Sequence, residues 1–324
     1  MRQFRRVIWN ALEYDYEAAY GFVPNIRAYM HEDGKDHDCI LVLPGGGYCI
    51  CAPHEGQEVA LEFYEMGMDA FVLTYSTDIT MSVPLKDQPL KDISRAVRLI
   101  RKEYATPGKL IVCGFSASGH ICGSLAVHYK DVKDDDPGYE AVSNRPDGVI
   151  LSYPVISSGK YGHASSFEAL LGKNPTDEEL EYYSVEKNVS TDTPPCFIWQ
   201  TATDELVPVE NSYLFAEALK EKGIPYAHYV FPCGLHGLGL AKESSYKKGQ
   251  DIIPDPYYSM EQVELAAAAV KAGCGVNISE KRYSELMEQF GEPLASTENP
   301  HDLTEVRNDA GLWAQLAKVW IDRL

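Results

Sequence analysis

"LIVCGFSASGHICGSLAVHYK", residues 110–130, decides how the rest of the chain is read. It opens as a short apolar run, turns through Gly114-Phe115-Ser116-Ala117-Ser118-Gly119, and continues with helical spacing. A strand, a tight Gly-x-Ser-x-x-Gly turn and a helix form an elbow that holds the central serine in strained backbone geometry at the carboxyl end of the strand. Residues two positions from the centre must be small for strand and helix to approach. Gly114 and Ser118 stand at those positions around Ser116. Centring the turn on Ser118 instead would put His120 where a small residue is needed, so Ser116 is the candidate nucleophile. The alternative for Ser116 is an ordinary turn or helix-capping serine. His120 lies early in a helix that runs away beneath the sheet and is read as a packing and hydrogen-bonding residue.

Working outward, further apolar runs read as buried strands: 39–44, 70–75, 109–114, 148–153 and 196–201. Their apolar character is continuous rather than alternating, which marks parallel strands covered on both faces. Helical stretches at 55–67, 88–104, 117–129 and 208–222 alternate with them, with Ile93, Val97, Leu99 and Ile100 on one side of the second. That order predicts an open α/β sheet with right-handed crossovers. Runs near 4–9 and 26–31 are expected to add antiparallel strands at one edge, and 227–232 a further strand. The last 85 residues or so differ in pattern. A helical insertion is expected over 243–303, including helices in "MEQVELAAAAVKAG" and "SEKRYSELMEQFGE". A closing amphipathic helix follows, with Leu312, Leu316, Val319 and Trp320 on one face. The 324 residues then form a single domain, the insertion serving as a cap over the site or as a subunit contact in a homo-oligomer.

Three features besides the elbow bear on chemistry. "LVLPGGGY" places three glycines directly after a buried strand. Outward-facing amides there, with the amide following the serine, suit a developing oxyanion, so Gly46, Gly47 and Ala117 are the candidate donors. The pattern fits a phosphate loop poorly, since no Gly-Lys-Ser/Thr follows. "CFIWQTATDELVPVENS" sets Asp204 just beyond another strand, where a carboxylate can orient a histidine, and Pro208 opens a helix. Glu205 is the alternative carboxylate. "YVFPCGLHGLGLA" puts His236 in a glycine-rich loop, whereas His228 lies within a strand. Tyr48, Tyr75 and Tyr153 lie close to these loops as candidate rings for stacking on a substrate, core packing being their alternative role.

Composition narrows the classes. The chain carries 48 acidic against 29 basic residues, a net charge of −19, which repels phosphate backbones and argues against nucleic acid as a partner. The N-terminal "MRQFRRVIWNALEYDYEAAY" lacks the apolar segment of an export signal, and no run approaches the length of a membrane span. Eight cysteines are scattered, and Cys39, Cys113 and Cys196 lie inside apolar runs as small hydrophobes. A cytoplasmic location with reduced thiols is expected. Cys49 and Cys51 have no second ligand pair at zinc spacing, so no metal or other cofactor is expected.

Together, "VLPGGGY", "AFVLTYS", "PLKDISRAVRLIR", "GFSASGH", "TATDELVPVENSYLFAEALKEKGIPY" and "LHGLGLA" resemble the α/β-hydrolase superfamily. More narrowly they resemble bacterial esterases and lipases known as acetyl-xylan or sugar esterases, relatives of the hormone-sensitive-lipase-like enzymes. The resemblance covers about residues 24–242 and the final helix. It implies Ser116, Asp204 and His236 as the catalytic triad and Gly46, Gly47 and Ala117 as the oxyanion hole. Pro44 departs from the histidine of hormone-sensitive-lipase-like members and points to the sugar-esterase branch. The implied activity is serine carboxylesterase action on short acyl esters, with acetylated plant-cell-wall oligosaccharides as the small-molecule partner. Lipase-like action on other esters and amide or peptide hydrolysis use the same three residues and stand as alternatives. A binding module without catalysis is the third, disfavoured because every catalytic position holds a competent residue.

Overall fold

The computed structural model describes residues 1–10, 12–104, 108–242, 260–273, 284 and 309–324. Among the described residues eight strands form one sheet: β1 (Arg2–Val7), β2 (Asn25–Met30), β3 (Cys39–Leu43), β4 (Asp69–Thr74), β5 (Leu110–Phe115), β6 (Gly148–Ser152), β7 (Cys196–Thr201) and β8 (Tyr226–Phe231). Their spatial order is β1-β2-β4-β3-β5-β6-β7-β8. β1 and β2 pair antiparallel at one edge, β2 pairs antiparallel with β4, and the remaining neighbours are parallel. This mixed, mostly parallel sheet flanked by helices is the α/β-hydrolase fold.

The strands that read as continuous apolar runs are those buried on both faces. Along β3, Leu41 and Leu43 point into one core, Ile40 and Val42 into the other. β5 does the same with Leu110 and Val112 against Ile111, Cys113 and Phe115. The period of two therefore sorts one unbroken apolar run into two cores. Among the described residues the helices are α1 (Gln57–Glu65), α2 (Gln88–Glu103), α3 (Ala117–His128), α4 (Pro137–Glu140), α5 (Ala164–Leu171), α6 (Asp177–Tyr182), α7 (Glu210–Lys222), α8 (Glu261–Lys271) and α9 (Trp313–Ile321). Ile93, Val97 and Ile100 of α2, Ile121 and Leu125 of α3 and Phe215 and Leu219 of α7 fill the first core. Val59 and Phe63 of α1 and Trp313, Ala317 and Ile321 of α9 fill the second.

Two expectations about packing are corrected. β1 covers residues 2–7 rather than 4–9, and its side chains are mostly exposed or half-buried, so apolar character marks it weakly. α9 buries Trp313, Ala314, Ala317 and Ile321, while Leu312 and Val319 face solvent. Leu316 and Trp320 only flank the buried face. The indole of Trp313 stacks on Trp199 of β7 at 5.3 Å between centroids, and that large aromatic contact sets the rotation of the helix.

Of the expected insertion at 243–303, the described part is 260–273 and residue 284; the second expected helix, at "SEKRYSELMEQFGE", otherwise lies outside the described residues. α8 packs Met260, Val263 and Ala266 on Ile50 and Ile79. Gln262 fastens it to the loop after β4: its Oε1 accepts Thr77 N–H at 2.9 Å and its Nε2 donates to the Tyr75 carbonyl at 2.6 Å. No described helix is long and apolar enough to cross a membrane.

Candidate active site

The elbow joins β5 to α3 as its spacing predicts. Ser116 has φ 53° and ψ −117°, a left-handed conformation that non-glycine residues rarely adopt and that is typically held by its surroundings. Ser116 N–H donates to the Ser152 carbonyl at 3.0 Å, and its own carbonyl accepts Val155 N–H at 3.1 Å, which ties the turn to the end of β6. A Cβ on Gly114 would stand 2.6 Å from the Ser118 carbonyl carbon and 2.7 Å from Cys122 Sγ, so no side chain fits there. Ser118 is small, and it is also a fastener. Its Oγ accepts Phe115 N–H at 2.8 Å and donates to the Leu43 carbonyl of β3.

Although Ser116 occupies the N-cap position of α3, its side chain makes no cap bond. Ser116 Oγ lies 2.7 Å from His236 Nε2. His236 Nδ1 lies 2.7 Å from Asp204 Oδ2. A carboxylate accepts, so Nδ1 carries the proton and Nε2 is left to accept from the serine hydroxyl. The other Asp204 oxygen accepts the amides of Leu206 at 3.0 Å and Val207 at 2.9 Å. Those bonds fix the carboxylate in the turn after β7. Glu205 faces solvent. The three residues predicted to meet are thus brought together from the ends of β5, β7 and β8. Pro208 precedes α7 by two residues instead of opening it.

The histidine loop is held from three sides. Gly234 exchanges hydrogen bonds with Thr203, and its carbonyl also accepts from Thr201 Oγ1 at 2.7 Å. His54 Nε2–H donates to the Gly237 carbonyl at 2.9 Å. Trp313 Nε1–H donates to the Gly239 carbonyl at 3.0 Å. The His236 ring rests edge-on against Tyr153, centroids 5.0 Å apart. Close by, half-buried His163 is held below the ordinary imidazole range by burial and then by the charge of His236, with Asp204 acting oppositely.

At the end of β3, Gly45 packs against the elbow. A Cβ there would be 2.6 Å from the Phe115 carbonyl and 3.1 Å from Ser116 Cβ. Gly46 and Gly47 follow with φ of 128° and 64°. Among the described residues the amides of Gly46, Gly47 and Ala117 donate to no backbone carbonyl, whereas Gly45 N–H is taken by a side chain, Glu55 Oε2, at 2.7 Å. Among the described residues no group of three or more His, Cys, Asp or Glu side chains is arranged to hold a metal ion.

The expected role of Tyr48, Tyr75 and Tyr153 is corrected. Their exposures are 2%, 0% and 1%, so none offers a face to a sugar ring. Each hydroxyl has an internal partner. Tyr48 donates to His120 Nδ1 at 2.7 Å, Tyr75 to the Pro44 carbonyl at 2.9 Å, and Tyr153 to Glu55 Oε1 at 2.6 Å. Burial holds all three phenols well above their usual pKa. They brace the loops from beneath. His120 is buried as expected, its Nε2–H donating to the Tyr183 carbonyl at 2.7 Å. Sequence reasoning passed over Glu55, which stands beside His54 in "CAPHEG" with no spacing or motif to mark it.

The BD-FAE family pattern matches residues 28–219, more than half of the chain. The chain belongs to the BD-FAE family. This family is a branch of the α/β-hydrolase esterases, and BD-FAE membership agrees with the resemblance read from the motifs. The chain is 60% identical over 277 residues to endo-1,4-beta-xylanase B of Butyrivibrio fibrisolvens, covering 83% of this chain and 42% of that protein. It is 28% identical over 262 residues to an acetylxylan esterase of Xylanibacter ruminicola, covering 75% of this chain and 51% of that one. It therefore spans about half the length, or less, of these two curated relatives. Among solved structures, an acetyl ester-xyloside bifunctional hydrolase from Caldicellulosiruptor lactoaceticus superposes with a TM-score of 0.69 at 37% identity, covering 84% of this chain and 97% of that one.

Proposed function

We propose that this chain hydrolyses short-chain acyl esters by way of an acyl-enzyme on Ser116. The observation that carries the reading is the hydrogen-bonded line from Asp204 through His236 to Ser116, 2.7 Å at each step. His236 Nε2 takes the hydroxyl proton as Ser116 Oγ attacks the acyl carbon. Asp204 keeps the proton on Nδ1 and stabilises the imidazolium. The amides of Gly46, Gly47 and Ala117 receive the oxyanion. His236 then returns the proton to the leaving alcohol, and water, deprotonated by the same nitrogen, releases the acid and restores the serine.

Acetyl groups on xylo-oligosaccharides are the substrates we propose. Support comes from the likeness to an acetylxylan esterase and to an acetyl ester-xyloside bifunctional hydrolase. The test compares wild type and Ser116→Ala on p-nitrophenyl acetate, then sets acetylated xylo-oligosaccharides beside acetyl, butyryl and octanoyl p-nitrophenyl esters. Near-wild-type turnover by Ser116→Ala overturns the mechanism. Preference for the octanoyl ester overturns the substrate class in favour of a lipase-like one.

A further inference from the structure

We propose that Glu55 is a positioning residue: its buried carboxylate couples the glycine loop that carries the oxyanion donors to the loop that carries His236. The proposal rests on the ester-hydrolysis reading above for its kinetic consequence, though not for its structural one.

The coupling is a short chain of hydrogen bonds. Glu55 ends the 3-10 turn Pro53–Glu55, and its side chain is 3% exposed. Oε2 accepts the amide of Gly45 at 2.7 Å. Oε1 accepts the hydroxyl of Tyr153 at 2.6 Å. The Tyr153 oxygen in turn accepts the amide of Gly239 at 2.9 Å. One carboxylate therefore reaches the glycine loop directly and the histidine loop through one phenol. Both anchor points touch the site. Gly45 packs on the Phe115 carbonyl and on Ser116 Cβ, and the Tyr153 ring supports His236 edge-on. His54, one residue earlier, donates to the carbonyl of Gly237, so the same turn grips the histidine loop twice.

This arrangement needs an acceptor at both oxygens. An amide in place of the acid keeps the shape but has one accepting oxygen. Its NH₂ must face either the Gly45 amide, where two donors meet, or the Tyr153 hydroxyl. The hydroxyl can turn to accept it only by leaving its own proton without a partner, because it already accepts from Gly239. A buried donor left unpaired destabilises the local geometry, and small displacements of catalytic groups are costly in rate. A residue that only filled space would tolerate glutamine.

The experiment uses Glu55→Gln, Tyr153→Phe and the double variant in the full chain. Hydrolysis of p-nitrophenyl acetate is measured well below each thermal midpoint, alongside amide hydrogen exchange of peptides covering Gly45 and Gly239. Glu55→Gln is expected to lower kcat by about 10- to 100-fold with KM changed less than about threefold. Exchange should quicken at both loops, including at Gly239, which Glu55 does not touch. The double variant should lose little more than the worse single variant, because the two residues act in one chain. A kcat within about twofold of wild type, multiplicative losses in the double variant, or faster exchange at Gly45 alone overturns the proposal. If Ser116→Ala retains activity, the ester-hydrolysis reading falls, and the exchange measurement still decides whether Glu55 couples the loops.

Discussion

Asp204 divides its two oxygens between different tasks: Oδ2 takes the proton-bearing Nδ1 of His236 at 2.7 Å, while Oδ1 is held by the amides of Leu206 and Val207. The carboxylate is thus locked in place before it locks the ring. Asp204→Asn keeps the shape and reverses the hydrogen-bond polarity at Oδ2, favouring the tautomer whose Nε2 bears the proton. The kcat on p-nitrophenyl acetate should fall by about 10⁴-fold with far-ultraviolet circular dichroism unchanged. A loss of less than about tenfold would show that Asp204 does not set the tautomer.

Gly114→Ala introduces a methyl group 2.7 Å from Cys122 Sγ and 2.6 Å from the carbonyl carbon of Ser118. Strand and helix must move apart at the elbow. Stability should drop by about 1–3 kcal/mol in urea denaturation, and kcat should fall well beyond what the unfolded fraction accounts for.

Tyr75→Phe removes the donor to the buried Pro44 carbonyl and leaves the ring in place. The expected cost is about 1–3 kcal/mol of stability, with the KM for acetylated xylo-oligosaccharides unchanged. A tenfold rise in that KM, on the order of 1.4 kcal/mol, would return the ring to the substrate.

His120 governs part of the acid sensitivity. Burial pulls its pKa down from the ordinary imidazole value of 6.5 to about 4. Between these values the unfolded chain binds a proton that the folded chain does not, so stability falls as pH drops from about 6.5 to about 4 and is flat for this group on either side. The contribution is about 3 kcal/mol. Half-buried His163 and His228, also held below the ordinary imidazole range, act with the same sign. His120→Gln should therefore flatten, without abolishing, the fall in urea midpoint between pH 7 and pH 4.5. An unchanged slope would remove His120 from the acid response.

The parts of the fold that could be read in advance share a cause. β3 through β7 lie between two cores, and a strand buried on both faces writes itself as an unbroken apolar run. The elbow was equally legible because steric exclusion at Gly114 and Ser118 acts within a few residues of chain. What escaped depends on partners far away in sequence. The face of α9 is chosen by the stack of Trp313 on Trp199, and helical periodicity alone favoured Leu312 and Val319. Tyr48 finds His120 across 72 residues and Tyr153 finds Glu55 across 98, so nothing near them in the chain marks their rings as buried rather than free to stack on a substrate. An acid such as Glu55 has no local pattern; its meaning comes only from the two donors the fold delivers to it.

The strand order has a kinetic corollary. Ser116 and His236 are 120 residues apart in the chain, and the sheet places β6 and β7 between their strands. Parallel pairing of this kind closes long loops and is slow to form. The site has no local precursor: a chain refolded as far as β7 would hold the elbow and the aspartate yet lack the imidazole. Recovered turnover during refolding should consequently trail the recovery of helical signal and keep time with docking of β8, the last strand of the sheet, making hydrolysis a clock for the end of folding.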